Sequence, residues 1–201
     1  MQATHPSSVI AGVVFPRRTA VTIALMLGFA LLTAAAAQIA IPLPFTPVPI
    51  TGQTFAVLLG GAALGSWAGA GSQLIYVGMG ALGLPFFAEG TGGWGVVTGA
   101  TGGYLVGFIV AAWIVGFLAE RKQDRRVWSA IPAFLTGNAV IYLFGVTWLL
   151  IAVDAITTWE GALVAGFLPF IAGDVLKIVL AGSLLPVSWK LVDRWGSGRD
   201  G

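Results

Sequence analysis

The chain has 201 residues, of which 57% are hydrophobic and only 9% carry a charge. A soluble domain carries roughly 25% charged residues, so this composition excludes an ordinary soluble protein. The net charge of +2 does not indicate nucleic-acid binding, and the absence of cysteine excludes disulfides, thiolate metal sites and cysteine nucleophiles. The composition therefore predicts a protein that is solvated by lipid.

The length of the apolar runs predicts the fold class. In hydrocarbon every backbone polar group must be paired internally, which leaves helices or a closed barrel. Barrel strands would show alternation over segments of about ten residues. Here the runs are long and unbroken, as in 104–119. We therefore expect an all-α membrane protein, a compact bundle of transmembrane helices.

Six apolar stretches follow one another along the chain. Four of them reach the roughly 20 residues that a helix needs to cross a bilayer. The second and third are shorter and are joined through the glycine-rich 65–71, so they form either one broken helix or two short helices. The six stretches are 19–41, 53–67, 69–84, 98–119, 127–152 and 161–189.

Charge placement decides between five and six crossings. Arg17 and Arg18 precede the first stretch, and 120–126 contains four Lys or Arg residues, whereas 42–97 contains none. Basic loops lie in the cytoplasm, and two crossings between 53 and 84 are needed to place both basic segments there. The sequence thus predicts six transmembrane helices with both termini cytoplasmic. The predicted organisation is a cytoplasmic tail at 1–16, a transmembrane substrate-binding domain at 17–192 and a cytoplasmic tail at 193–201.

Two predicted outer segments have unusual compositions. Residues 42–52 hold four prolines, which favour extended structure, and 85–103 hold seven glycines around Trp94. Both segments are either ordinary connections or a lid over a ligand, since glycine lets a backbone approach a ligand closely.

A charged pair lies inside the last apolar stretch. Asp174 and Lys177 are three residues apart and therefore share one helix face. Charges inside a membrane are costly and usually functional. The pair is either a self-neutralising ion pair or a polar ligand site in which Lys177 holds a carboxylate and Asp174 accepts hydrogen bonds. Polar residues in other stretches that can join such a site are Gln53, Tyr76, Thr101, Tyr104, Asn138 and Tyr142.

The first stretch carries small residues at four-residue spacing, namely Ala20, Ala24 and Gly28. Such a pattern permits close helix approach, either within this bundle or to a partner subunit. Signatures of an enzyme, a metal site or a nucleotide-binding loop are absent from the sequence, so we expect neither catalytic residues nor metal ligands.

Several motifs in order resemble the BioY family, the biotin-specific S components of energy-coupling-factor (ECF) transporters. The resemblance covers about residues 15–190. It rests on 47–54 (PVPITGQT), 83–95 (GLPFFAEGTGGWG), 98–104 (TGATGGY), 141–145 (IYLFG) and 173–177 (GDVLK).

The resemblance implies a biotin-capturing subunit in the plasma membrane, and we expect this to be a bacterial inner membrane. Its partners would be a transmembrane coupling subunit, which docks on Ala20, Ala24 and Gly28, and two ATPase subunits that use the ATP. No cofactor is expected in this chain. Some relatives are expected to carry an arginine near Thr91, which this chain lacks. The expected biotin-binding residues are Phe45, Gln53, Gly93, Trp94, Gly95, Thr101, Asn138, Tyr142, Asp174 and Lys177.

Two rival functions stay open from the sequence. A proton-coupled secondary carrier for a small carboxylate vitamin would use Asp174 as its titrating group. A structural or assembly subunit would use the buried ion pair only for packing.

Overall fold

The protein is a helical bundle with one small strand pair. The computed structural model describes residues 9–15 and 18–197, with side chains to residue 192 at the C-terminal end. Arg17, Arg199 and most of the predicted N-terminal tail lie outside the described residues. The helices are α1 (Ile10–Val14), α2 (Thr19–Ala37), α3 (Gln53–Leu64), α4 (Ser66–Ala81), α5 (Trp94–Thr98), α6 (Gly102–Glu120), α7 (Val127–Ala152), α8 (Trp159–Gly166) and α9 (Ile171–Ser197).

Short elements connect the longer helices. Strands β1 (Ala40–Ile41) and β2 (Ile50–Thr51) pair antiparallel, so the two ends of the proline-rich segment 42–52 lie side by side. Two 3-10 turns occupy Ala88–Gly90 and Leu168–Phe170. The strand pair is a small departure from the predicted all-α class. Because β1 begins at Ala40, α2 ends at Ala37, four residues before the predicted boundary at 41.

Helices α3 and α4 form an antiparallel hairpin that turns at Gly65. The φ of Gly65 is +88°, a conformation that favours glycine. A Cβ on Gly69 would lie 2.8 Å from the Cα of Gly61, so only glycine permits this approach. At the other end of the hairpin, Gln53 Nε2 donates to the Tyr76 hydroxyl over 2.5 Å. The structure therefore has two short helices here, as the charge pattern predicted.

The predicted sixth stretch, 161–189, is not one continuous helix. Helix α8 ends at Gly166, and α9 begins at Ile171 after the turn that contains Pro169. Proline lacks an N–H and clashes with the carbonyl four residues earlier, which interrupts a helix. That carbonyl, on Ala165, instead accepts a hydrogen bond from Thr46 Oγ1 over 2.7 Å. The neighbouring carbonyl of Gly166 accepts one from the Tyr104 hydroxyl over 2.7 Å.

Helix α6 is the centre of the bundle. It packs against α3, α4 and α7, and its buried face includes Leu105, Phe108, Ala112 and Val115. Among the described residues, four stretches are long and apolar enough to cross a membrane: Thr19–Ala37, Gly102–Glu120, Val127–Ala152 and Trp159–Val192. The protein is thus mostly helical with several apolar helices, as expected for a membrane protein.

The basic loop 121–126 and Lys190 lie at one end of the bundle, which the uncharged turn between α3 and α4 shares. The turn between α3 and α4 meets the end of α6 there, because Glu120 Oε1 accepts from the Ser66 backbone N–H over 2.7 Å. The loop between α6 and α7 meets α9 there, because Trp189 Nε1 donates to Asp124 over 2.6 Å. The proline-rich and glycine-rich segments lie at the other end.

Candidate functional site

A cavity of about 220 Å³ lies at the end of the bundle away from the basic loops. Its walls come from both unusual segments and from α3, α6, α7 and α9, so residues far apart in the chain converge on it. The cavity is lined by Pro47, Val48, Pro49, Thr51, Gln53, Thr54, Phe87, Ala88, Glu89, Thr91, Val96, Thr101, Tyr104, Leu105, Phe108, Ile141, Tyr142, Phe170, Asp174 and Lys177.

Asp174 is the polar centre of this cavity, and the residue is only 3% exposed. Its Oδ1 accepts from Lys177 Nζ over 2.8 Å and from Thr54 Oγ1 over 3.4 Å. Its Oδ2 accepts from Asn138 Nδ2 over 3.1 Å and from the Tyr142 hydroxyl. Three helices, α3, α7 and α9, thus each direct a donor at one carboxylate.

The spacing of these residues explains why they meet. Asp174 and Lys177 are one helical turn apart on α9, and Asn138 and Tyr142 are one turn apart on α7. The packing of α7 against α9 brings the two pairs face to face. A buried charge is tolerated only when it is paired and hydrogen-bonded, and this carboxylate satisfies both conditions.

Lys177 has hydrogen-bonding capacity left for a ligand. An ammonium group carries three donors, and the side chain makes one hydrogen bond among the described residues, to Asp174. Its side chain is 17% exposed and lines the cavity. Asp174 has no such capacity left, because a carboxylate has about four acceptor positions and Asp174 already accepts hydrogen bonds from four donors. A ligand N–H reaches Asp174 only by replacing one of them.

Gln53 is held in place at the start of α3. Its Oε1 accepts from Thr51 Oγ1 over 2.7 Å, and its Nε2 donates to the Tyr76 hydroxyl. Tyr76 is fully buried and packs edge-to-face against Phe87, which itself lines the cavity. Tyr76 therefore supports two wall residues without lining the cavity.

The structure brings together six of the ten residues that the sequence predicts for ligand binding. Gln53, Thr101, Tyr142, Asp174 and Lys177 line the cavity. Asn138 lies behind Asp174 and is hydrogen-bonded to it. Their contact with a ligand stays a prediction.

The other four residues lie outside the cavity lining. Phe45 is 63% exposed and Trp94 is 67% exposed. Gly93 and Gly95 flank the start of α5, from which Val96 and not Trp94 reaches the cavity. Their role in ligand binding likewise stays a prediction.

Several wall residues were not singled out from the sequence. Thr54 contacts Asp174, and Glu89 and Phe87 come from the glycine-rich segment. Thr54 could have been found, since it follows Gln53 directly at the start of a helix. Phe87 and Glu89 lie in irregular backbone, where no periodicity indicates which side chains face inward.

The small residues of α2 face away from the bundle. Ala20, Ala24 and Gly28 are all exposed, and a Cβ on Gly28 would have no neighbour within 4 Å. The pattern therefore does not serve packing inside this chain.

Comparison with known proteins places the chain in a family. The profile of the BioY family matches residues 8–194, nearly the whole sequence. The chain belongs to the BioY family. It is 41% identical to the biotin transporter BioY of Thermotoga maritima over 141 residues, which cover 70% of this chain and 80% of that protein. It is 42% identical to the biotin transporter BioY of Rhodobacter capsulatus over 153 residues, 71% of this chain and 79% of that protein.

A solved structure shares the fold of this BioY chain. The crystal structure of the S-component for biotin from an ECF-type ABC transporter has a TM-score of 0.78 at 23% identity. The match covers 88% of this chain and 94% of that one. The relatives are named as transporters, in agreement with the prediction that the chain is not an enzyme.

Proposed function

We propose that this chain captures biotin as the membrane-embedded substrate-binding subunit of an uptake transporter. Its family and the names of its relatives support this function. The observation that carries the proposal is the Asp174–Lys177 pair on the wall of the cavity.

The chemistry of biotin suits the cavity. Biotin has a carboxylate, a ureido ring with two N–H groups and a carbonyl, and an apolar bicycle between them. The free N–H groups of Lys177 pair with the carboxylate in a charge-assisted hydrogen bond. The ureido group forms hydrogen bonds with Asp174, Asn138 or Gln53. Phe87, Phe108 and other apolar wall residues cover the bicycle.

We propose six crossings, with the cavity facing outward and both termini in the cytoplasm of a bacterial cell, in its inner membrane. The basic loops lie at the end away from the cavity, as the positive-inside rule requires. Exposed tryptophans occur at both ends, Trp67 and Trp128 at the basic end and Trp94 and Trp159 at the cavity end. Tryptophan favours both membrane interfaces, so this distribution supports a bundle that spans the bilayer.

The proposed partners are a transmembrane coupling subunit and two cytoplasmic ATPases. The exposed Ala20, Ala24 and Gly28 on α2 suit the close approach of another helix. We propose that ATP is used only by the partner subunits and that this chain holds no cofactor and no metal.

Binding of biotin and of biotin methyl ester to the purified protein and to Lys177→Ala tests the proposal. We expect Lys177→Ala to weaken biotin binding about 10- to 100-fold, because a hydrogen bond to a charged group contributes about 1.5–3 kcal/mol. The ester has no carboxylate, so its affinity should change little. Lys190→Ala, an exposed lysine at the other end of α9, is the matched control and should bind both ligands normally.

Three outcomes contradict parts of the proposal. Folded wild-type protein without measurable biotin binding would exclude biotin capture. Equal weakening for biotin and its ester would exclude Lys177 as the carboxylate partner. Biotin uptake that a protonophore abolishes at constant ATP would favour the proton-coupled carrier instead.

A further inference from the structure

The C-terminal end of α2 is the place where both outer segments attach to the bundle. The first outer segment, residues 42–52, is held to α2 through its backbone, and its Thr46 side chain bonds separately to the Ala165 carbonyl on α8. The Gly52 N–H lies 3.1 Å from the carbonyls of both Ala36 and Ile39, and β1 pairs with β2 just beyond. Side-chain substitutions leave these backbone bonds in place.

The second outer segment, here residues 83–93, the part of the glycine-rich stretch that precedes α5, is hydrogen-bonded to α2 through one side chain, Gln38. Its Nε2 lies 2.9 Å from the carbonyl of Ala34, one turn earlier on the same helix. The same nitrogen lies 3.2 Å from the carbonyl of Phe87 and 3.4 Å from that of Pro85. The bond to Ala34 orients the amide along α2, and the remaining N–H is directed at the segment.

The second outer segment forms part of the cavity wall. Phe87 is 2% exposed and lines the cavity, together with Ala88, Glu89 and Thr91. Gln38 is absent from the lining, so it contacts the wall from behind and does not face the ligand.

The backbone of this segment needs external support. Its base is fixed where the Gly93 N–H donates to the Gly80 carbonyl over 2.7 Å. The turn around Phe87 closes on itself, through Phe87 N–H to Thr91 O and Thr91 N–H to Ala88 O. Glu89 has a φ of +58°, which is unfavourable for a residue with a Cβ. Such a conformation persists only where the surroundings hold it.

We propose that Gln38 is a positioning residue that holds the second outer segment over the cavity and thereby sets how fast a ligand enters and leaves. It acts through the carbonyls of Pro85 and Phe87. Because α2 also carries the exposed Ala20–Gly28 face, a partner that shifts α2 would move the attachment points of both outer segments. The identity of the ligand rests on the proposed function, but the mechanical role of Gln38 does not.

Amide hydrogen exchange without added ligand tests the mechanical role. In Gln38→Ala and in Gln38→Glu, which keeps the size but lacks the N–H donors, amides of residues 83–93 should exchange about three to ten times faster, because one hydrogen bond restrains the segment. Ile39→Ala removes an exposed neighbouring side chain and serves as the matched control. Unchanged exchange in both Gln38 variants would overturn the proposal.

Biotin kinetics then separate positioning from ligand contact. Passage in either direction needs the segment to move, so the association and dissociation rates should both rise about three- to tenfold, with Kd within about twofold of wild type. A faster dissociation with an unchanged association rate would overturn the proposal and make Gln38 a contributor to affinity. If wild-type protein fails to bind biotin, the proposed function falls, and hydrogen exchange alone decides the role of Gln38.

Discussion

Asp124 and Asp174, both buried, have contrasting surroundings. Asp174 is addressed by four donors, whereas Asp124, in the loop between α6 and α7, has one strong partner, the Trp189 indole N–H. Its Oδ1 has no hydrogen-bond partner, although Arg125 Nε lies 4.0 Å away and the guanidinium lies over the Trp189 ring. Burial raises the pKa of Asp124, and the bond from Trp189 and the charge of Arg125 only partly offset it.

The raised pKa of Asp124 predicts a pH-dependent stability. Between the ordinary pKa and the raised one, the folded protein binds more protons than the unfolded chain, so the contribution of Asp124 to stability falls as pH rises through that window. Asp124→Asn keeps an oxygen for Trp189 and cannot ionise. We therefore expect it to melt at a higher temperature than wild type at pH 8, with the difference shrinking as pH falls towards the ordinary pKa.

Thermal melts in detergent from pH 4 to pH 8 measure this effect. Asp154→Asn, which alters an exposed aspartate, is the control and should follow wild type at every pH. A loss of stability in Asp124→Asn at pH 8 that disappears as pH falls would show instead that the ionised carboxylate stabilises the fold, and a pH-independent difference would contradict the link to ionisation.

Which individual residues could be predicted from the sequence depends on the backbone around them. Asp174 with Lys177 and Asn138 with Tyr142 were predicted together because helical spacing fixes which side chains share a face. Phe45 and Trp94 were expected at the ligand from the composition of their segments and from the family resemblance, and the structure leaves both largely exposed. In irregular segments the orientation of each side chain follows from tertiary contacts. The contacts of Gln38 are an example, since its two acceptors in the second outer segment are 47 and 49 residues away in sequence.

At the level of single elements, α4 begins without a capping side chain of its own. Residue Gly65 precedes it, and the first N–H groups of a helix need external acceptors. Glu120, at the end of α6, accepts from both the backbone N–H and the hydroxyl of Ser66, at 2.7 and 2.8 Å. A carboxylate at this place also interacts favourably with the helix dipole.

We expect Glu120→Ala to destabilise the protein by about 1 kcal/mol, the usual cost of losing an N-terminal cap. The free energy is measured by reversible unfolding in mixed micelles. Glu160→Ala, at the exposed start of α8, is the comparison and should cost less. Equal losses in the two variants would mean that the contact with Ser66 contributes nothing specific.

Element boundaries were predictable where only hydropathy decides them. The predicted 127–152 coincides with α7 at both ends. The stretch 161–189 is equally apolar, yet Pro169 divides it, and hydropathy does not register that break. The interruption is tolerated because Thr46, more than one hundred residues earlier in the chain, satisfies the freed carbonyl of Ala165, and such a distant partner is not visible in local sequence.

At the scale of the whole molecule, the cavity and the basic loop 121–126 occupy opposite ends, and α2 runs between them with Ala20, Ala24 and Gly28 among its exposed residues. The proposed assembly with a coupling subunit predicts that ligand capture and transport can be separated by mutation. Ala24→Trp should leave biotin binding unchanged and reduce both co-purification with the coupling subunit and biotin uptake by at least about tenfold, because a bulky ring prevents close helix approach.

The matched control for Ala24→Trp is Thr22→Trp, on the opposite side of the same exposed helix end. It should retain both binding and uptake. Loss of uptake in both variants would indicate that any bulky residue on α2 disturbs the protein, and retained uptake in Ala24→Trp would place the coupling surface elsewhere.

The four donors around Asp174 have a consequence for discrimination among vitamins. A ligand that binds this carboxylate must replace existing hydrogen bonds, because each N–H that it donates takes the place of a donor that is already there. A carboxylic acid with an apolar body but no N–H groups can pair with Lys177, yet it has no hydrogen-bond donor for Asp174. Under the proposed function, a fatty-acid-like molecule therefore leaves all four hydrogen bonds of Asp174 intact, and its rejection falls to the shape of the cavity wall.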